Sequence, residues 1–170
     1  MSMFIGYHGT KSSIAKNIIR TNFTFNQANP GWLGSGNYFF EENERLANYW
    51  GNLRNPGNYS VIRAEINVPE EKKFDISDPN SDHSKEFHAM RDVLLPTLIQ
   101  QNLKVKANST KDFDGKILNV VCRKGGYQLV RAYTYTYNDQ DRTDGTFSRF
   151  PNGVELCLKN TGYIVNKNII

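Results

Sequence analysis

Cysteine is scarce in this chain of 170 residues: Cys122 and Cys157 are the only two. Neither has a partner at metal-binding or redox spacing, which excludes a disulfide framework, a zinc ribbon and a C-x-x-C redox centre. Both sit in apolar runs and read as buried free thiols, not nucleophiles. Long hydrophobic runs are also missing; none approaches the roughly 18–20 residues that a bilayer-spanning helix needs. No charged-then-apolar leader is visible, because a first strand begins at once with Met3-Phe4-Ile5. The expected compartment is a cytoplasm, of the producing cell or of a target cell. Internal repeats and low-complexity linkers are absent as well. With 38% hydrophobic and 22% charged residues, the chain is that of one globular domain able to bury its own core.

Charge is present but unevenly placed. The net charge is +4. Seven cations (Lys104, Lys106, Lys111, Lys116, Arg123, Lys124 and Arg131) stand against Asp112 and Asp114, so that one segment carries +5 and the remainder −1. Such a stretch docks an anionic target or is a solvated face; no nucleic-acid motif accompanies it.

Periodicity outlines an α+β domain. Phe4 to Tyr7 reads as a strand ending at His8. A helix with Ile14, Ala15, Ile18 and Ile19 follows, capped by Thr10, Ser12 or Ser13. Asn22 to Phe25 is extended, and Asn29-Pro30-Gly31 turns into a glycine-bearing loop through Gly36. Glu41 to Trp50 reads as a short helix and Gly51 to Asn58 as a loop. Val61 to Val68 alternates as a strand. Phe74 to Ile76 is a further short strand, and His83 to Asn102 a helix that Pro96 should kink or split. Ile117 to Cys122 fits helix or strand. Gln128 to Tyr137, Val154 to Leu158 and Tyr163 to Val165 complete the strands, with a loop from Arg142 to Asn152. His83 and His88 read as solvent-facing.

Against this outline one ordered set of motifs stands out. Tyr7-His8-Gly9-Thr10 ends the first strand. Gly34-Ser35-Gly36-Asn37-Tyr38-Phe39-Phe40 follows, then Ala47-Asn48-Tyr49. Tyr38 and Tyr49 are eleven residues apart, one on a glycine loop and one on a helix. Two rings so presented can grip a flat cationic ring, with about 0.5–1.5 kcal/mol per aromatic pair plus an electrostatic contribution from the π-face. The set resembles poly(ADP-ribose) polymerase catalytic domains and, more broadly, the diphtheria-toxin-like ADP-ribosyltransferases with their His-Tyr-Glu signature. The resemblance runs from Phe4 to Val68 and resumes at Val154-Glu155-Leu156-Cys157-Leu158.

That resemblance implies an ADP-ribosyltransferase-like domain over residues 1–170. Its form would be split antiparallel β-sheets with flanking helices and a helical insertion at about 75–131. NAD+ would be the co-substrate, with no metal. It implies Glu155, His8 and Tyr38 as catalytic residues. His8, Gly9, Thr10, Tyr38 and Tyr49 would bind NAD+: His8 the adenosine-side ribose, Gly9 the carboxamide through its backbone, and the tyrosines the nicotinamide ring. Glu155 would stabilise the oxocarbenium ion that forms as nicotinamide leaves. Glu65 is the weaker candidate for the carboxylate. Phe39 and Phe40 read as core, and Trp50 as core or rim.

Two positions depart from the pattern. Leu46 stands where many polymerase-type relatives carry a serine. Gly153 stands where arginine-targeting members carry Gln or Glu, which argues against that branch. Chain elongation needs a further acceptor site, and none is visible in so short a chain, so the expected activity is mono-ADP-ribosyl transfer to a macromolecular acceptor, protein or nucleic acid, in the setting of a bacterial or phage effector or toxin with an antitoxin or immunity partner. Phe147 and Phe150, just before Glu155, would face the acceptor by stacking a base or seating a side chain. Competing readings are an NAD+ glycohydrolase, a catalytically silent NAD+ or ADP-ribose-binding module, and a nucleic-acid-binding protein using the basic stretch.

Overall fold

The computed structural model describes residues 1–25, 27–101 and 110–170. Seven strands form one sheet: β1 (Ser2–Lys11), β2 (Asn37–Glu41), β3 (Tyr59–Val68), β4 (Lys73–Asp75), β5 (Leu129–Thr134), β6 (Gly153–Leu158) and β7 (Ile164–Ile169). Their order across the sheet is β4-β5-β6-β2-β1-β3-β7. All neighbours are antiparallel except β4 and β5, which the pair α3 (Asp82–Gln101) and α4 (Thr110–Gly125) connects. Helices α1 (Ser12–Arg20), α2 (Glu44–Arg54) and α5 (Asp139–Asp144) complete the fold. The chain is thus α+β. In place of two separate sheets there is one, pinched in its middle: β1 and β3 align over ten residues, whereas β1 and β2 pair only at Gly6↔Glu41 and Tyr7↔Phe40.

Strand alternation sorts the core onto two faces. Phe4, Ile62, Ala64, Ile66, Phe39, Leu156 and Leu158 point to one face, where Ala15 and Ile18 of α1 cover them. On the other face α2 lays Ala47 over Phe40 and Val61. Farther along that face, α3 and α4 cover Phe74, Val130, Ala132 and Cys157 with Phe87, Ile117, Leu118 and Val121. The segment between β4 and β5 therefore supplies a core cluster of its own. Between the two helical covers, β2 and β6 carry Tyr38 and Glu155.

Several elements differ from the sequence expectation. β1 runs on through His8 to Lys11, because all ten residues keep their β3 partners. No side chain caps α1; the Ser12 hydroxyl is taken by Ser60 across the strand pair. Helix α2 begins only at Glu44, with Asn43 as its cap accepting from the Leu46 N–H, and it includes Gly51. Glu41 stays in β2. Helix α3 continues unbroken through Pro96; Pro96 and Asp92 are exposed, so the carbonyl that loses its donor meets water. Ile117 to Cys122 is helical. His83 is not solvent-facing: it packs on Phe74 at 4.7 Å and its Nδ1 accepts from the Asp75 N–H at 3.1 Å. His88 is exposed. Among the described residues, no helix is long and apolar enough to cross a membrane.

Candidate active site

The pinch between β1 and β2 has an identifiable cause. The Glu42 N–H donates to the Ile5 carbonyl at 2.9 Å, and the Ser12 N–H to the Asn58 carbonyl at 3.3 Å. These bonds set the phase of β1: odd residues direct their backbone groups toward β2 and even ones toward β3. Were the β1–β2 ladder to continue past Tyr7↔Phe40, the Gly9 N–H would donate to the Tyr38 carbonyl. Instead the His8 ring reaches across, and its Nδ1 donates to that carbonyl at 2.7 Å. The imidazole thus replaces a ladder bond and holds the strands apart. The Gly9 N–H and C=O are left pointing into the gap, belonging to neither ladder.

Donation from Nδ1 fixes the tautomer, so Nε2 is an acceptor in the neutral ring. Burial lowers the His8 pKa, against the opposing pull of its bond to the Tyr38 carbonyl, which keeps the ring neutral at pH 7. Phe23 and Phe39 pack on it at 5.3 and 5.8 Å.

The gap opens into a cavity of about 890 Å³. His8, Gly9, Tyr38 and Glu155 all line it. Of the residues expected to form a site, Thr10 and Tyr49 are not in its lining. Thr10 lies two residues beyond the pinch, with its backbone groups committed to β3. The Tyr49 hydroxyl donates to Asp139 of α5 at 2.9 Å and accepts from Arg142 at 3.4 Å. The two-tyrosine clamp is thus not what faces this cavity; Tyr7 and Trp50 supply the aromatic surface on the α2 side. Glu65, the weaker carboxylate candidate, is paired with Arg63 at 2.7 Å and lies outside the lining.

Gly9 has a second reason to be glycine. A Cβ there would come within 2.0 Å of the Ala47 carbonyl oxygen, so the missing side chain lets α2 lie on β1. Gly153 is constrained similarly, since a Cβ would meet Leu46 at 2.6 Å. The two positions that depart from the family pattern therefore pack against each other.

Tyr38 presents its ring to the cavity while its hydroxyl is engaged twice. It donates to the Gly34 carbonyl at 2.7 Å and accepts from the Leu33 N–H at 2.9 Å. Burial, aided by neighbouring Cys157, pushes its pKa far up, so it stays a phenol. The same turn, Gly31 to Gly34, carries Trp32. The indole Nε1 donates to Glu155 Oε2 at 2.9 Å across 123 residues of sequence. Glu155 sits on β6 opposite Phe40 of β2 and Ala132 of β5. Cys157, on the same face, is buried and its thiol pushed up to about 12; Cys122 is raised to about 11, so neither is a nucleophile.

The far wall is the β5–β6 connection, with Tyr135, Tyr137, Arg142, Phe147 and Ser148. A capping box between Asn138 and Asp141 starts α5. Asp141 also accepts from the Tyr135 hydroxyl at 2.7 Å and the Thr146 hydroxyl at 3.0 Å. Asn152 closes the base through two bonds to the Thr136 backbone, each 2.8 Å. Phe147 is 64% and Phe150 81% exposed, so neither is tucked under the loop.

Sequence reading missed several lining residues. Arg54, stacked over Trp50 at 4.7 Å, and Arg142 bring two guanidinium groups to the cavity. Trp32 was legible only as an aromatic at the tip of a glycine turn. The Asn138-x-x-Asp141 pattern was a readable cap. Conversely, Arg131 does not belong to a free basic surface. Arg131 is bound to Glu41 at 2.6 Å and Asp75 at 3.2 Å within the sheet. Lys104, Lys106 and the Lys111 side chain lie outside the described residues. Arg123 and Lys124 are exposed. No family model, no curated protein and no solved structure matches this chain.

Proposed function

We propose that this protein is a mono-ADP-ribosyltransferase that takes NAD+ into the gap between β1 and β2. The observation that carries the reading is the displaced ladder. His8 occupies the Tyr38 carbonyl, and the Gly9 N–H and C=O face a cavity that also holds Glu155. A carboxamide is the group that fits such an edge, because its C=O accepts from the Gly9 N–H while its NH2 donates to the Gly9 C=O. Nicotinamide would thereby stand in for the missing strand residue.

Charge supports the same ligand. Arg54 and Arg142 suit a diphosphate, the aromatic faces of Tyr38, Tyr7 and Trp50 suit a cationic ring, and Glu155 suits a developing positive charge. A cavity of about 890 Å³ is ample for a dinucleotide. The neutral His8 offers Nε2 to a ribose hydroxyl.

In the reaction the C–N bond between nicotinamide and ribose breaks, and its electron pair leaves with the neutral ring. Positive charge spreads over C1′ and the ring oxygen of the ribose. Glu155 stabilises that oxocarbenium ion electrostatically. The acceptor nucleophile then attacks C1′ and loses its proton. The exposed Phe147 lines the same cavity as Glu155 and would meet an incoming acceptor, and the exposed Phe150 lies three residues on in the same loop. The domain in this reading is an ADP-ribosyltransferase-like fold, its split being the pinch at Tyr7, with α3 and α4 as the helical addition.

The test is incubation with NAD+ labelled in the adenylate part, with and without a cell lysate, followed by nuclease or protease digestion. Release of nicotinamide with label in a macromolecule supports transfer. Equal nicotinamide release with no labelled acceptor makes the protein an NAD+ glycohydrolase. Binding without cleavage makes it an NAD+-binding module.

A further inference from the structure

Glu155 reaches the cavity from a strand, yet one of its oxygens is bound by a side chain 123 residues away, the Trp32 indole. The turn that presents Trp32 is unusually well secured. Gly31 and Gly34 exchange two backbone hydrogen bonds, at 3.2 and 3.0 Å, so Trp32 and Leu33 form its tip. Gly34 has φ +91°, a conformation suited to glycine. Leu33 is fully buried in the α3–α4 cluster. Tyr38 holds the turn at two atoms, the Leu33 N–H and the Gly34 carbonyl. Helix α4 presses on it: a Cβ on Gly115 would lie 1.9 Å from the Gly31 carbonyl. Beyond the turn, Asn119 accepts from the Ser35 N–H at 2.8 Å, and Lys159 donates to the Ser35 carbonyl at 3.0 Å. A donor mounted this rigidly is more than a packing aromatic. A tryptophan kept for bulk alone has no need of a carboxylate at its only polar atom.

We propose that Trp32 is a positioning residue, whose N–H fixes the rotamer of the Glu155 carboxylate before NAD+ enters. The inference rests on the transferase reading. Preorganisation is what makes a lone carboxylate effective toward a developing cation, since a wandering carboxylate must be reoriented at the moment of reaction. The role assigned to α4 follows: it braces the turn and so reaches Glu155 through Trp32 without touching substrate. Tyr38 then serves twice, its ring for the ligand and its hydroxyl for the turn.

Two measurements test this. The first does not depend on activity. The chain has two tryptophans, so a 15N-labelled sample gives two indole N–H signals. Trp32→Phe assigns one of them. Glu155→Gln should move the Trp32 signal and leave the Trp50 signal nearly in place. A Trp32 signal indifferent to Glu155→Gln overturns the proposal.

The second is kinetic. Trp32→Phe keeps a ring but removes the donor, and should lower kcat for NAD+ cleavage about tenfold or more while KM changes less than about threefold. Trp32→His, which restores a ring N–H, should recover part of that loss. An unchanged kcat in Trp32→Phe, or a loss that His does not relieve, overturns the positioning role while leaving the transferase reading intact. Failure of the wild-type protein to cleave NAD+ at all sinks the transferase reading and this one with it, whatever the indole signals do.

Discussion

Replacing Tyr38 by Phe removes one oxygen and should destabilise the protein although the ring stays. From the sequence, the change looks mild, since ring stacking uses the face and not the hydroxyl. The structure adds a cost. The hydroxyl accepts from the Leu33 N–H at 2.9 Å and donates to the Gly34 carbonyl at 2.7 Å. The Gly34 carbonyl keeps the Gly31 N–H as a donor, so losing Tyr38 costs it little. The Leu33 N–H has no such substitute, and Leu33 is fully buried. An orphaned buried N–H costs about 1–3 kcal/mol, and the full burial of Leu33 puts this one in the upper part of that range. The expected loss is therefore about 2–3 kcal/mol. For a chain of this size that lowers Tm by roughly 4–12 °C. Urea unfolding and thermal melting would read it directly. NAD+ affinity, measured by calorimetry below the melting range, should change much less than stability does. A Tm within about 1 °C of wild type would refute the assigned hydroxyl bonding.

Other consequences follow from the same geometry. Gly9→Ala should be strongly destabilising, by about 3 kcal/mol, because its methyl meets the Ala47 carbonyl and α2 must lift; denaturant melts check this. His8 is held neutral, so its folded pKa lies below the unfolded value of about 6.5. The unfolded chain then binds the proton first, and stability falls as pH drops below about 6.5; His8→Gln should flatten that part of the profile between pH 7.5 and 5.5. Asp141 is likewise shifted down, below the usual carboxylate range, by the Tyr135 hydroxyl and the Asn138 backbone. Its contribution is present above about pH 4 and lost as pH falls through its lower folded value. Asp141→Asn should loosen the β5–β6 connection at neutral pH, read as faster tryptic cleavage at Arg142 and Arg149.

The readable parts of the sequence were those governed by local rules. The alternation from Val61 to Val68 separated Ile62, Ala64 and Ile66 from Val61, Arg63 and Glu65, and β3 keeps that division, with the first three fully buried. The turn around Gly34 was visible from its glycines. The run from Ile117 to Cys122, apolar at every position but Asn119, could not choose between periods, because six residues are too few to separate a helical from a strand repeat. Tyr49 lies outside the cavity lining, and the partner of its hydroxyl, Asp139, is 90 residues away, a contact no local rule shows. Trp32, Arg54 and Arg142 reach the cavity only because the sheet brings distant segments together. Arg131 looked like part of a basic face until Glu41 and Asp75 converged on it. The motif residues His8, Gly9, Tyr38 and Glu155 do meet at one cavity, but how they meet, with an imidazole in place of a ladder bond, is a tertiary fact.

The most direct test of the account is nicotinamide release by Glu155→Gln, measured beside NAD+ binding by the same protein. The account predicts a fall of two or more orders of magnitude in NAD+ cleavage, about 3 kcal/mol of transition-state stabilisation, with NAD+ affinity changed by no more than a few-fold. Cleavage at the wild-type rate by Glu155→Gln, or no NAD+ binding by the wild-type protein, would contradict it.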